Sequence, residues 1–240
     1  MISDVHGNLA ALDAVLEDIE RRAAEQIVNL GDAISGPLQP RETAERLRAL
    51  GFLTISGNHE RQLLTLPREQ MGATDLFADE RIGAGDREWM AGFPGTATLS
   101  GDMLLCHGTP ASDSEYLMET VSSEGIRAAS AAEIEARVAG WDASLIFCGH
   151  SHLPRVVWLE DGRIVANPGS VGLQAYSAEW PHRHVVETGS PHARYALAER
   201  SGDAWSIELV RVAYDWESAA RLAEANGRAD WAVALRTGHV

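Results

Sequence analysis

Ile27-Val28-Asn29-Leu30-Gly31-Asp32 is an apolar run of strand length that stops at a Gly-Asp pair. Such a run reads as a buried strand delivering one carboxylate to the edge of a sheet. Taken alone, the Gly-Asp pair is also an ordinary turn signal. Its company changes the reading. Asp4-Val5-His6 precedes it, and Gly57-Asn58-His59-Glu60, His107-Gly108 and Gly149-His150-Ser151-His152 follow. Each of these motifs comes directly after an apolar, strand-like run. Asp32 is the candidate centre of the set, because the two oxygens of a carboxylate can touch two metal ions at once.

Working outward, the flanking segments alternate. Met1 to Asp4 is a strand stub, and Asn8 can cap a helix from Leu9 to about Ala24, with Leu9, Leu12, Leu16 and Ile19 on its apolar face. After the strand that ends at Asp32, Pro40 opens a helix through Leu50 that Gly51 terminates, and Phe52 to Ile55 is the next strand. This β-α-β-α-β order predicts a parallel sheet with right-handed crossovers. Parallel sheets place binding residues at the carboxyl ends of their strands, which is where Asp4, Asp32 and Asn58 fall.

From Arg61 to Phe93 the pattern is irregular, apart from a helix around Asp86 to Ala91. Strands are then expected at Thr96–Leu99, Met103–His107, Leu145–Cys148, Val156–Leu159 and Arg163–Asn167, with a hairpin turn at Asp161-Gly162 and a helix at Ala131–Val138. Leu173 to His192 is rich in His, Pro and Ser without a period and is read as a long loop. Tyr195–Leu197 and Trp205–Val210 form a closing hairpin, followed by a helix from Trp216 to about Ala225. There is no internal repeat.

The 240 residues suffice for one sizeable core, and no linker interrupts them, so a single domain spanning 1–240 is expected. Hydrophobic residues at 45% and charged residues at 23% are ordinary for a globular protein. No stretch approaches a membrane span, and no basic segment leads into an apolar one at the start, so the expected compartment is the cytoplasm and no membrane partner is expected. Cys106 and Cys148 lie within apolar strand-like runs and read as reduced and buried. A net charge of -15 argues against a duplex nucleic-acid partner, which would need phosphate neutralisation by basic side chains. A small phosphoester held by metal ions stays compatible with that charge; a homo-oligomer is left open.

Asp, His and Asn are ligands for divalent transition metals, and imidazole with carboxylate favours Mn, Fe, Zn, Co or Ni over Ca or Mg. One histidine would be unremarkable on a surface or in a core. Five placed immediately after strands, beside Asp or Gly, call for convergence of side chains from different strands. Gly31, Gly57, Gly108 and Gly149 allow the sharp turns that convergence requires.

The ordered set Asp4-x-His6, Gly31-Asp32, Gly57-Asn58-His59-Glu60, His107 and Gly149-His150-Ser151-His152 resembles the calcineurin-like metallophosphoesterase superfamily. Asn167-Pro168-Gly169-Ser170-Val171-Gly172 resembles its small bacterial and archaeal phosphodiesterase branch. The resemblance runs from Asp4 to about Gly172. It implies an α/β fold, a four-layer αββα sandwich of two mixed β-sheets flanked by helices, with a dinuclear metal site at the strand ends. It also implies two divalent transition metal ions, Mn first among Fe, Zn, Ni and Co. Mapped by motif position, Asp4, His6, Asp32 and His152 would hold one metal and Asp32, Asn58, His107 and His150 the other. The implied reaction is hydrolysis of a phosphodiester, or a phosphomonoester, by a metal-bridging hydroxide, with ions about 3.5–4 Å apart. His59 maps to the residue that protonates the leaving oxygen or stabilises the transition state, and Glu60 reads as a salt-bridge or supporting residue.

Three features depart from the family pattern. Only Met1 and Ile2 lead into the first motif, where several apolar residues are usual, so either the strand is short or the true start lies upstream. Leu173-Gln174-Ala175 replaces a segment that carries arginines in related proteins, and His182, His184 and His192 lie in or beside the apparent loop. Three alternatives follow from the resemblance. A protein Ser/Thr phosphatase shares the Gly57-Asn58-His59-Glu60 spelling, yet Gly31-Asp32-Ala33-Ile34-Ser35-Gly36 lacks the arginine expected after the aspartate. A dinucleoside tetraphosphate hydrolase is a further alternative among enzymes. A scaffold like the related retromer subunit would have lost the catalytic histidine, and His59 is present.

Overall fold

The computed structural model describes residues 1–202 and 204–240. Its first half realises the crossover pattern. Helix α1 (Leu9–Arg21) starts where the Asn8 side chain accepts the Ala11 N–H at 3.2 Å, and it buries Leu12, Val15, Leu16 and Ile19, one stripe at 3.6-residue spacing. It ends three residues before the expected Ala24. Strand β1 (Val28–Asn29) leads to α2 (Pro40–Leu50), with Pro40 in its first turn and Gly51 closing it at φ +65°, and then to β2 (Leu53–Thr54), parallel to β1. The short apolar lead at the chain start gives only a bridge: Ile2 pairs in parallel with Asn29, through Ile2 N–H to Val28 O and Leu30 N–H to Ile2 O, both 2.9 Å.

The remaining elements are α3 (Asn58–Thr65), α4 (Ala73–Asp79), α5 (Ala84–Ala91), β3 (Thr96–Leu99), β4 (Met103–Cys106), β5 (Glu119–Ser122), β6 (Gly125–Ala128), α6 (Ala131–Arg137), β7 (Leu145–Phe147), β8 (Arg155–Trp158) and β9 (Ile164–Asn167). These are followed by β10 (Ala175–Ala178), β11 (His184–Glu187), β12 (Ala193–Ser201), β13 (Ala204–Val212), α7 (Trp216–Ala225) and α8 (Ala229–Thr237). Five strands form one mixed sheet in the order β3-β4-β7-β9-β8, with parallel pairing in the centre and antiparallel pairing at both edges. The hairpin β12–β13 joins the N-terminal strands, since Ala196 N–H donates to Met1 O at 2.9 Å.

Side-chain alternation then assigns the layers. Met103, Leu105, Leu145, Phe147, Ile164 and Ala166 cluster with Val28, Leu30 and Ile55 between the sheets, while their neighbours Leu104, Cys106, Ile146, Cys148 and Val165 cluster with Ile134 and Val138 at α6. On the other side, Ile2 and Val5 pack under α1 and α2. A strand buried on both faces has no polar alternation, which is why these runs look uniformly apolar. Cys106 and Cys148 are free and buried, as their positions in those runs predict.

The structure departs from the sequence reading at four places. The irregular stretch after Arg61 contains α3 and α4 besides α5; Thr120 to Arg127 lies within a hairpin, β5–β6; and α8 follows α7. The expected long loop, Leu173 to His192, holds the antiparallel hairpin β10–β11, with Tyr176 opposite Val186. Its strands are only four residues each and neither alternates polar with apolar residues, although β11 alternates burial, so no period announces them.

Candidate metal centre

The motif residues gather at the carboxyl ends of the strands because the backbone there is forced into tight turns. Among the described residues, seven non-glycines have positive φ, and five are Asp4, His6, Asp32, His150 and His152, at 52–65°. Each such conformation costs about 1–3 kcal/mol and persists only where surrounding contacts impose it. Glycine makes room for the crowding. A Cβ on Gly57 would lie 2.2 Å from Asp32 Oδ1, and one on Gly149 2.1 Å from Ser3 Oγ.

Two groups of side chains result, Asp4 with His6 and His152, and Asp32 with His107 and His150; within each, one ligand atom per residue lies within 4.8 Å of the others. His107 Nε2 stands 3.1 Å from Asp32 Oδ2 and 3.2 Å from Asn58 Oδ1, which brings Asn58 to the second group. His6, His107 and His152 each turn Nδ1 to a backbone carbonyl, of Ser35, Leu30 and Leu173, at 2.7, 2.7 and 2.8 Å. Those bonds orient each ring so that Nε2 is the nitrogen turned to the centre.

This donor set is short of protons. His6 Nε2 faces His152 Nε2 at 3.1 Å, and Asp4 Oδ1, fully buried, has no hydrogen-bond partner. Acceptors that face one another away from water need a proton or a cation between them, and converging imidazole and carboxylate donors are the ligands of divalent metal ions, so the residues present fit such ions. Burial, aided by the neighbouring His152, lowers His6 to about 4, and burial with His107 lowers His150 to about 3, so both imidazoles are neutral and able to ligate. Burial also opposes charge on His107, but Asp32 and Asp4 outweigh it and raise it to about 10.

Beside this centre stands His59. Its Nδ1 lies 2.6 Å from Asp75 Oδ1, and its backbone N–H donates to Asp32 Oδ1 at 3.0 Å. Burial opposes its protonation, yet Asp32 and Asp75 prevail and push it up to about 9. Asp75 also accepts the Ser35 hydroxyl at 2.5 Å, tying the histidine to the residue whose carbonyl orients His6. Sequence reasoning did not single out Asp75 or Ser35. Among the described residues Glu60 forms no salt bridge: its buried carboxylate accepts the N–H groups of Asp32, Ala33 and Gly57, each at 2.8 Å, and so fixes both turns that carry Asp32 and Asn58.

A cleft of about 1160 Å³ opens over the centre, lined by His6, Asp32, Asn58, His59, His150 and His152 at one end and by β5, β10 with its turn and α8 elsewhere. Tyr176 and Tyr116 couple the hairpin to the centre. The Tyr176 hydroxyl donates to His150 O at 3.0 Å and lies 2.8 Å from the Tyr116 hydroxyl, which is 2.9 Å from His184 Nε2. His184, expected among solvated loop histidines, is therefore buried, whereas His182 is exposed.

Residues 1–189 match the family model of the calcineurin-like phosphoesterase superfamily domain. The chain belongs to the calcineurin-like phosphoesterase superfamily. Membership suggests metal-dependent phosphoester hydrolysis, consistent with the two side-chain groups at the strand ends. The metallophosphoesterase of Sphaerobacter thermophilus is similar in structure, with a TM-score of 0.72, 26% identity and coverage of 97% of this chain and 98% of that one. The hypothetical protein PH1004 of Pyrococcus horikoshii shares the fold, with a TM-score of 0.76, 16% identity and coverage of 99% and 96%. The uncharacterised protein MJ0912 of Methanocaldococcus jannaschii is 27% identical over 255 residues, 96% of this chain and 93% of that protein. Among the described residues no helix is long and apolar enough to cross a membrane.

Proposed function

We propose that this superfamily member is a phosphodiesterase acting on small phosphoesters, with manganese its first-choice metal. In this reading Asp4, His6, Asp32 and His152 hold one ion and Asp32, Asn58, His107 and His150 the other. Two divalent cations supply Lewis acidity toward the phosphoryl oxygens and a water acidic enough to ionise near neutral pH.

The chain's own residues do the rest. Glu60 fixes the turns that present Asp32 and Asn58, and the carbonyls of Ser35, Leu30 and Leu173 fix the tautomers of three histidines. His59, with Nδ1 held by Asp75, lines the cleft next to these groups and is free to give a proton from Nε2 to a departing alkoxide. The observation that carries the reading is this His59–Asp75 pair beside two converging groups of Asp and His side chains, an arrangement a scaffold has no use for. The volume of the cleft supports a diester, since it accommodates groups on both sides of a phosphoryl.

The test is turnover of bis-p-nitrophenyl phosphate against p-nitrophenyl phosphate after reconstitution with Mn, Fe, Zn, Ni or Co in turn. Preference for the diester, strongest with Mn, is the expected result. Preference for the monoester would transfer the reading to a phosphatase, and no turnover with any metal would leave a metal-binding scaffold.

A further inference from the structure

We infer that the cleft is built for a phosphoester with a single phosphoryl group attached to a nucleoside, whose base stacks on Trp180. This rests on the phosphodiesterase reading above and narrows its substrate class.

The first observation is charge. The chain contains no lysine, so arginines are its only permanently charged side-chain cations. Two of them line the cleft, Arg137 and Arg228, and both are engaged. Arg137 donates to Leu117 O, Glu119 O and Thr120 Oγ1 at 2.8–2.9 Å. Arg228 makes a fork with both oxygens of Asp230, at 2.9 and 2.6 Å, and reaches Thr74 Oγ1 at 3.1 Å. Against them stand Glu115, Glu179 and Asp230 in the lining, while burial raises Glu119 there to about 7. A phosphoryl group at the metal-ligating end would be neutralised there. Further phosphates along the cleft would meet carboxylates with no free guanidinium, which costs affinity rather than adding it.

The second observation is the apolar character of the far end. Trp180 lies in the turn between β10 and β11 and is 69% exposed, although a tryptophan of an ordinary surface is mostly covered. It lines the same cleft as His59, along with Ala178, Pro181 and Val233. Trp231 of α8 closes the junction of the two ends, its ring edge-on to His6 with centroids 5.9 Å apart. An open indole in a cleft that also holds the reacting end is a stacking platform for a planar ring, and every nucleobase offers such a face. A substrate with one charge and one base satisfies both observations.

The experiment is calorimetric titration of the metal-loaded full chain with thymidine 5′-monophosphate, methyl phosphate and diadenosine tetraphosphate, which reads binding independently of turnover. In the unaltered protein the nucleotide should bind at least about 10-fold more tightly than methyl phosphate, and the tetraphosphate no more tightly than the nucleotide. Trp180→Ala should weaken the nucleotide by about 5- to 100-fold and leave methyl phosphate unchanged, while Trp180→Phe, which keeps a ring face, should restore most of the difference. Equal effects of Trp180→Ala on both monophosphates, no effect on either, or tightest binding of the tetraphosphate would overturn the inference. Loss of diester turnover with nucleotide binding intact would instead overturn the phosphodiesterase reading and leave the nucleoside site standing.

Discussion

At the strand ends, Asp4, His6, Asp32, His150 and His152 stand at positive φ, His150 half-buried and the others buried, each held by contacts from elsewhere in the chain; β10, its turn and α8 border the same cleft with no non-glycine residue at positive φ and with an open Trp180. The difference separates two tasks. The metal-ligating end stores backbone strain and unmet polar groups, which only a rigid scaffold can impose and which cations would relieve. The hairpin side stores almost none and is attached through side chains, by way of Tyr176, Tyr116 and His184. In the proposed reading chemistry belongs to the first region and choice of substrate to the second, so substitutions in the two should be separable.

The largest effect is expected from Asp32→Asn. It removes a charge both proposed ions share, so metal occupancy and turnover should vanish together while the fold stays intact, as read by metal analysis and circular dichroism. Two metals per chain with near-normal turnover would break the proposed ligand set.

His59→Ala should come next. It should keep both metals and lower kcat by about 10²- to 10⁴-fold, because the proton it supplies matters only as the leaving oxygen departs. The loss should be greater on an alkyl ester than on a p-nitrophenyl ester, whose leaving group needs little help. Asp75→Asn should reproduce that dependence on leaving group in milder form, since His59 keeps its proton-donating nitrogen and loses its orientation. Equal losses on both esters would assign His59 to electrostatic stabilisation.

Glu60→Gln should be smaller in rate but visible in stability. The amide would set an N–H group against backbone N–H donors, and loss of charge-assisted bonds in a buried place should cost about 3 kcal/mol in denaturant unfolding. Metal affinity should fall by about 10- to 100-fold as the turns at Asp32 and Asn58 loosen. A variant with unchanged unfolding and affinity would show that the strained turns hold themselves.

The sequence alone settled the first crossovers and the order of the motifs, because periodic burial and strand-terminal glycines are local signals. The run at Ile27 to Asp32, the cap at Asn8 and the stop at Gly51 are all properties of neighbouring residues. What only the tertiary structure decided is which distant groups complete the site. Asp75 meets His59 across 16 residues, Glu60 meets Asp32 across 28, and Tyr116 meets His184 across 68. The hairpin that carries Trp180 was equally hidden, for its four-residue strands have no polarity alternation. Contacts between separate turns have no period along the chain, so the physics that sets them, burial of charge and satisfaction of backbone groups, acts only once the sheets have brought the turns together.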